Sequence, residues 1–286
     1  MAGAAVRGDD LLYRFFDQVL KEENEAFAEV PQLLLTTMGI WWPPELYERW
    51  PLLLPWVVRD PSCRGNRAKG IPDAWSSPDA SGYLRDDNSL IKSLPKSLSV
   101  RAPVGARMRG ARMGNDFVAC HVWRVVPGSA LLASRLPQLN SFVPNLVWLP
   151  RQIAKLTDRE GSLVQRTLQA MSVALYRYLP VDPMFRGIVD DAWALLPAPD
   201  APITPLDPAE MNWFEPTEAF LRTRQARVDT VVKALDRLAD GHALDFKVVA
   251  SRYTAGLPSI DPDALRSLRS WLTPFTTDGA ANGGDL

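Results

Sequence analysis

The residues whose types and spacing could carry chemistry lie close together in the middle of the chain: Cys120, His121, Asn145 and Asp158, with Arg101, Arg107, Arg109 and Arg112 just before them. His121 is one of only two histidines. Asp158 offers a hard oxygen ligand, and Cys120 a softer one poorly suited to magnesium. The run Arg101 to Arg112, RAPVGARMRGAR, holds four arginines, two glycines and no acid. Guanidinium forks match phosphate oxygens, and glycine lets a backbone approach them closely. Contacts of that kind fix position on a nucleic acid without reading its sequence.

Local pattern says which elements must hold these groups. Phe117 to Val126 is rich in Val, Phe and Trp and alternates in the manner of a strand. Pro127-Gly128-Ser129 is turn chemistry. The apolar run Leu146 to Leu149 is too short for a helix and follows Val143-Pro144-Asn145, so it reads as a second strand. Pro150 stands where a helix would have its first residue, a place where the missing N–H costs nothing, and Arg151 to Leu156 can turn helically. The order is strand, loop, strand, helix, with His121 on the first strand and Asn145 at the mouth of the second.

That order and those two residues resemble the HNH, or ββα-metal, nuclease family over residues 116–158. The resemblance implies that His121 is the general base for the attacking water and that Asn145 braces the loop carrying it. It also implies that one divalent ion, Mg2+ or Mn2+, neutralises charge on the leaving oxygen. The position before the base, usually a carboxylate or imidazole, is Cys120, and the usual His or Asn ligand nine residues after the bracing Asn is Ala154. Asp158, about one helical turn further along the same face, is the remaining ligand candidate. Each residue also has a plainer reading: His121 as a hydrogen-bonded core residue, Asn145 as a turn residue, Asp158 as the end of one helix and the cap of the next.

The whole chain sets bounds. Its 286 residues, 47% hydrophobic and 23% charged, can bury a substantial core in one large domain or two and do not describe a generally disordered protein. Cys63 and Cys120 provide neither a disulfide framework nor a zinc ribbon, so a reducing, cytoplasmic setting is expected. The start shows no signal-peptide pattern, and the apolar stretch Trp41 to Val58 is interrupted by four prolines and three charges, which rules it out as a membrane span. The formal net charge of −1 is unevenly spread: Ser62 to Asn115 carries +6 and the remainder −7. A basic stretch directly before the candidate site suits a phosphate-binding surface; arginines scattered over a solvated face are the alternative.

Further elements frame the centre. A helix is expected from Asp9 or Asp10 to about Val30, a short second one over Gln32 to Met38 ended by Gly39, and another over Glu45 to Trp50. Trp41 and Trp42 read as core or interdomain residues. Arg59 to Lys96 reads as loops. Within it Asp73, Asp86, Asp87 and Lys92 are similar to the carboxylate and lysine nucleases, but Leu90 occupies the position two before the lysine where an acid is required, so Asp86 and Asp87 are second-choice acids. Asp87-Asn88-Ser89 more simply caps a helix. Helices follow from Ser162 through Leu179, with Tyr178 in the apolar stripe, from Thr217 to Asp240, and from Asp261-Pro262 onward. A Pro-rich connector spans Leu195 to Pro208, Arg222, Arg224 and Arg227 read as a solvated helix face, and Thr276 to Leu286 as a disordered tail.

The expected fold is therefore α+β, predominantly helical, with a small ββα-metal-like element in the middle. It would lie between helical regions 1–60 and 213–275, in a central part 61–180 joined to the last by 181–212. The expected activity is metal-dependent hydrolysis of nucleic-acid phosphodiesters, with double-stranded DNA as partner, no membrane, and a homodimer suiting symmetric cutting. A restriction or anti-phage role suits such a protein. The rival expectation is a non-catalytic protein that keeps the scaffold to bind DNA or another subunit, and Ala154 favours it.

Overall fold

The computed structural model describes residues 25–55, 58–59, 85–86, 89–129, 131–244, 257–259 and 262–276. The expected helix before residue 25, Cys63, Asp87 and the tail beyond 276 lie outside the described residues.

Helix α1, Glu25–Met38, runs through Pro31 instead of breaking there into two. Proline removes the N–H that would reach the Phe27 carbonyl, but the fully buried Leu35 and its neighbour Leu34 keep the next turns on the core, and packing overrides the local preference. Gly39 ends the helix. Its N–H donates to the Leu35 carbonyl at 3.0 Å, and a Cβ at this position would lie 2.5 Å from that same oxygen. The chain then enters strand β1, Ile40–Trp41. In place of a helix over Glu45 to Trp50 there is a single 3-10 turn, Pro44–Leu46.

The remaining elements are β2 (Val58–Arg59), β3 (Arg85–Asp86), α2 (Ser89–Ser93), β4 (Ser99–Arg101), β5 (Phe117–His121), α3 (Pro137–Asn140), β6 (Leu146–Pro150), α4 (Arg151–Thr157), α5 (Leu163–Tyr176), α6 (Arg186–Ala194), β7 (Asn212–Glu215), α7 (Glu218–Ala239) and α8 (Pro262–Leu272). Five strands form one mixed sheet in the order β4-β7-β1-β6-β5, and β2 pairs with β3 apart from it. Only β1 and β7 in that sheet run parallel, Ile40 opposite Asn212 and Trp41 opposite Trp213. The N-terminal, central and C-terminal parts of the chain thus share one sheet, in a fold that is α+β. No helix among the described residues is long and apolar enough to cross a membrane.

The middle strands are buried on both faces, as a sheet covered on both sides requires. Asn212, the first residue of β7, donates its side-chain N–H to the carbonyls of Thr37 and Gly39, so the strand satisfies the open end of α1. The Trp148 and Phe214 rings meet edge to face across the sheet, centroids 5.0 Å apart. The Tyr176 hydroxyl donates to the Trp42 carbonyl at 2.6 Å, and the Trp193 indole donates to the Tyr47 hydroxyl at 3.0 Å. Trp41 and Trp42 are core residues, fully buried.

Two expectations about helix faces need correction. Tyr178 is 86% exposed, because α5 ends at Tyr176 and it is Tyr176 that turns inward. Arg224 is not solvated: it is 2% exposed, donates through Nε to the Leu53 carbonyl at 2.8 Å and through Nη2 to the Leu52 carbonyl, and lies 3.8 Å from the centroid of the Trp50 ring. Burial alone pushes its ionisation well below the ordinary arginine range.

Replacing Gly39 with Ala tests the junction of α1 and β1. The clash with the Leu35 carbonyl should cost ~1–3 kcal/mol of stability, read as a lower urea midpoint with unchanged slope. A midpoint equal to that of the parent protein would show that the junction gives way without strain.

Candidate functional site

Strands β5 and β6 pair antiparallel from Phe117 opposite Pro150 to His121 opposite Leu146, and α4 follows β6 directly. Strand β5 stops at His121 and not at Val126, because the chain leaves the sheet there. Val122 donates instead to the Asn145 carbonyl at 3.0 Å, and Val125 pairs with Leu132 in a small turn of its own. Asn145 is fully buried. Its Oδ1 accepts the Trp123 backbone N–H at 2.7 Å, and its Nδ2 donates to the Leu139 carbonyl at 3.0 Å. One carboxamide thereby ties the start of the connecting loop to its end.

His121 is 7% exposed, and its Nε2 lies 2.9 Å from the Asn140 carbonyl oxygen. A carbonyl only accepts, so Nε2 carries the proton in that bond. Cys120, one residue earlier, points to the other side, as the pleat of a strand dictates. Its surroundings there are Thr157, Asp158 and Arg124. Burial, and after it the Asp158 charge, pushes the thiol from 9.0 up to about 12, against a Thr157 hydrogen bond and the Arg124 charge, which act in the opposite direction. Asp158 is exposed at the end of α4, with its Oδ1 3.8 Å from Arg124 Nε. Ala154 is buried in the same helix.

The structure therefore brings Cys120 and Asp158 together on one side of the hairpin, while His121 faces the other way and binds the Asn140 carbonyl next to the Leu139 carbonyl that Asn145 holds. A magnesium or manganese ion calls for several oxygen donors, whereas this hairpin presents one carboxylate beside an arginine and one protonated thiol. Among the described residues no group of three or more His, Cys, Asp or Glu is placed to hold a metal ion. The described donors alone do not fit the ion that the resemblance implies. Of the second-choice acids, the backbone of Asp86 belongs to β3 and Asp87 lies outside the described residues.

The arginine run folds back on β4. Val100 donates to the Ala111 carbonyl at 2.9 Å, Gly110 donates to the Val100 carbonyl at 2.8 Å, and Ser99 pairs with Arg112. Gly110 makes the return possible with φ of 71°, a conformation that favours glycine. Arg101 is paired with Glu45 at 2.8 Å, and Arg109 donates to the Ala102 carbonyl at 2.9 Å. The side chains of Arg107 and Arg112 are exposed and make no hydrogen bond or ion pair among the described residues. Sequence reasoning missed that Arg112 shares a cleft with Arg224 and Arg227 of α7. Three basic residues within six positions of a helix were visible, but not the side of the helix that faces the hairpin.

No family model matches the chain, and neither a curated protein nor a solved structure matches it.

Two measurements check this geometry. Asn145→Ala orphans the Trp123 N–H and the Leu139 carbonyl inside the core, and should cost on the order of 1–3 kcal/mol for each group in urea unfolding. Equal stability would mean that the loop does not need the carboxamide. Cys120 should alkylate about a thousandfold more slowly at pH 8 in the folded protein than in urea, followed by mass mapping of its peptide. Its raised thiol stabilises the fold fully below pH 9 and loses that contribution as pH rises toward 12.

Proposed function

We propose that the protein is a non-catalytic nucleic-acid-binding protein that contacts the phosphate backbone through the arginine hairpin beside a degenerate ββα-like scaffold. The observation that carries this reading is the pair Arg107 and Arg112, exposed on a segment with no acid and uncommitted among the described residues. Cations in that state release counterions from a polyanion, which is the main source of sequence-independent binding. Arg101 and Arg109 hold the hairpin against Glu45 and the Ala102 carbonyl, and so position the other two.

A second reading, metal-dependent endonuclease, has one observation in its favour. Asn145 bridges the two ends of the loop next to His121, the part that the HNH resemblance gives to its bracing Asn. Against it stand the protonated Cys120 and the apolar Ala154 at the positions where ligands are expected. In that reading the missing oxygen ligands come from outside the described residues, with Asp87 the first to change.

One set of samples separates the readings: gel shift on duplex DNA at several salt concentrations, and supercoiled plasmid incubated with magnesium, manganese or EDTA. Binding without cleavage is expected, and Arg107→Ala should lower the slope of log affinity against log salt by about one. Metal-dependent nicking that His121→Ala abolishes while binding persists would replace this reading with the endonuclease. Absence of any salt-sensitive shift would remove nucleic acid as the partner.

A further inference from the structure

Beside strand β4, at the opposite edge of the sheet from β5, a cleft of about 470 Å3 opens between the arginine hairpin and α7. Arg112 reaches it from the hairpin, and Arg224 and Arg227 from successive turns of the helix; Ser97 and Thr217 add hydroxyl groups. Among the described residues no carboxylate lines it. The nearest acid on β7, Glu215, is occupied by the Ser99 hydroxyl, which donates to its Oε2 at 2.7 Å.

Arg224 makes this cleft more than a patch of surface charge. A guanidinium that is 98% removed from water needs compensation, and here it has two backbone carbonyls and the face of Trp50 but no anionic partner among the described residues. Nη1 takes part in neither of its hydrogen bonds. Arg112, across the cleft, is likewise without a partner among the described residues. A tetrahedral dianion with several acceptor oxygens matches cations converging from two elements together with hydroxyl donors, where a single carboxylate would leave most of the donors idle.

We propose that this cleft is a phosphate-binding site, built by Arg112, Arg224 and Arg227, that holds one phosphate group of a bound ligand. The site itself does not depend on the nucleic-acid reading; only the source of the phosphate does. If the source is a nucleic acid, the cleft anchors one phosphate while the exposed hairpin follows its neighbours. If the source is a free phosphate monoester, the same groups hold it alone.

The test is calorimetric titration of the full chain with inorganic phosphate at constant ionic strength, then competition by a 12-base-pair duplex DNA oligonucleotide. Phosphate should bind, and Arg112→Ala and Arg227→Ala should each weaken it at least tenfold, Arg112→Ala without lowering the melting temperature. Arg186→Ala, an exposed arginine on α6 outside the cleft, should leave binding unchanged. Arg112→Glu provides a second variant at a residue that the core does not use. No phosphate heat beyond that of chloride, or unchanged affinity in the Arg112→Glu, Arg227→Ala double variant, overturns the site. Competition by the oligonucleotide supports both the site and the nucleic-acid reading. Phosphate binding that the oligonucleotide does not disturb supports the site and overturns that reading.

Discussion

The Asn145 carboxamide is the constraint on which the middle of this protein depends. The connection between β5 and β6 is long and its two ends lie inside the molecule, so the backbone groups there must find partners other than water. Asn145 supplies three of them at one point, through its own carbonyl to Val122, through Oδ1 to Trp123 and through Nδ2 to Leu139. Holding Trp123 there sets its ring perpendicular to Trp193, centroids 6.0 Å apart, and holding Leu139 sets the adjacent Asn140 carbonyl against His121. A side chain lacking either the donor or the acceptor could not do both.

Much of this region was legible because it is local. The alternation of Phe117 to His121, the short run Leu146 to Leu149, the position of Pro150, and Ser162 and Thr217 as caps accepting from Gln165 and Phe220 can all be read within a few residues of themselves. What was not legible is what only distant partners create. Strands β4 and β7 are three and four residues long, too short to show a period, and exist because they pair with each other and with β1. Arg224 looks like any helix-surface arginine until Leu52 and Leu53, more than 170 positions away, present their carbonyls to it. The divergence of Cys120 from His121 was within reach of sequence reasoning, since neighbours on a strand face opposite ways; the end of β5 at His121 was not.

Arginine suits position 224 in a way that lysine would not. A planar, delocalised guanidinium can lie flat on the Trp50 ring while its edge donates to two carbonyls, and it sheds its water more readily than a compact ammonium does. Those carbonyls belong to the segment after the first 3-10 turn, so the charge that faces the cleft also stitches α7 to the N-terminal part of the chain. Affinity for an anion and cohesion of the fold therefore reside in one side chain.

The parallel pairing of β1 with β7 carries a consequence for how the molecule is assembled. The strand that arrives last, β7, is inserted between β4 and β1, not added at an edge. As the chain is synthesised, the β5–β6 hairpin and α4 can close early from neighbouring sequence, and β1 can dock on β6. The flanks of β1 and β4 then stay open until Glu215 has been made. For that interval the growing protein presents two unpaired strand edges, and its final strand serves as the keystone that closes them.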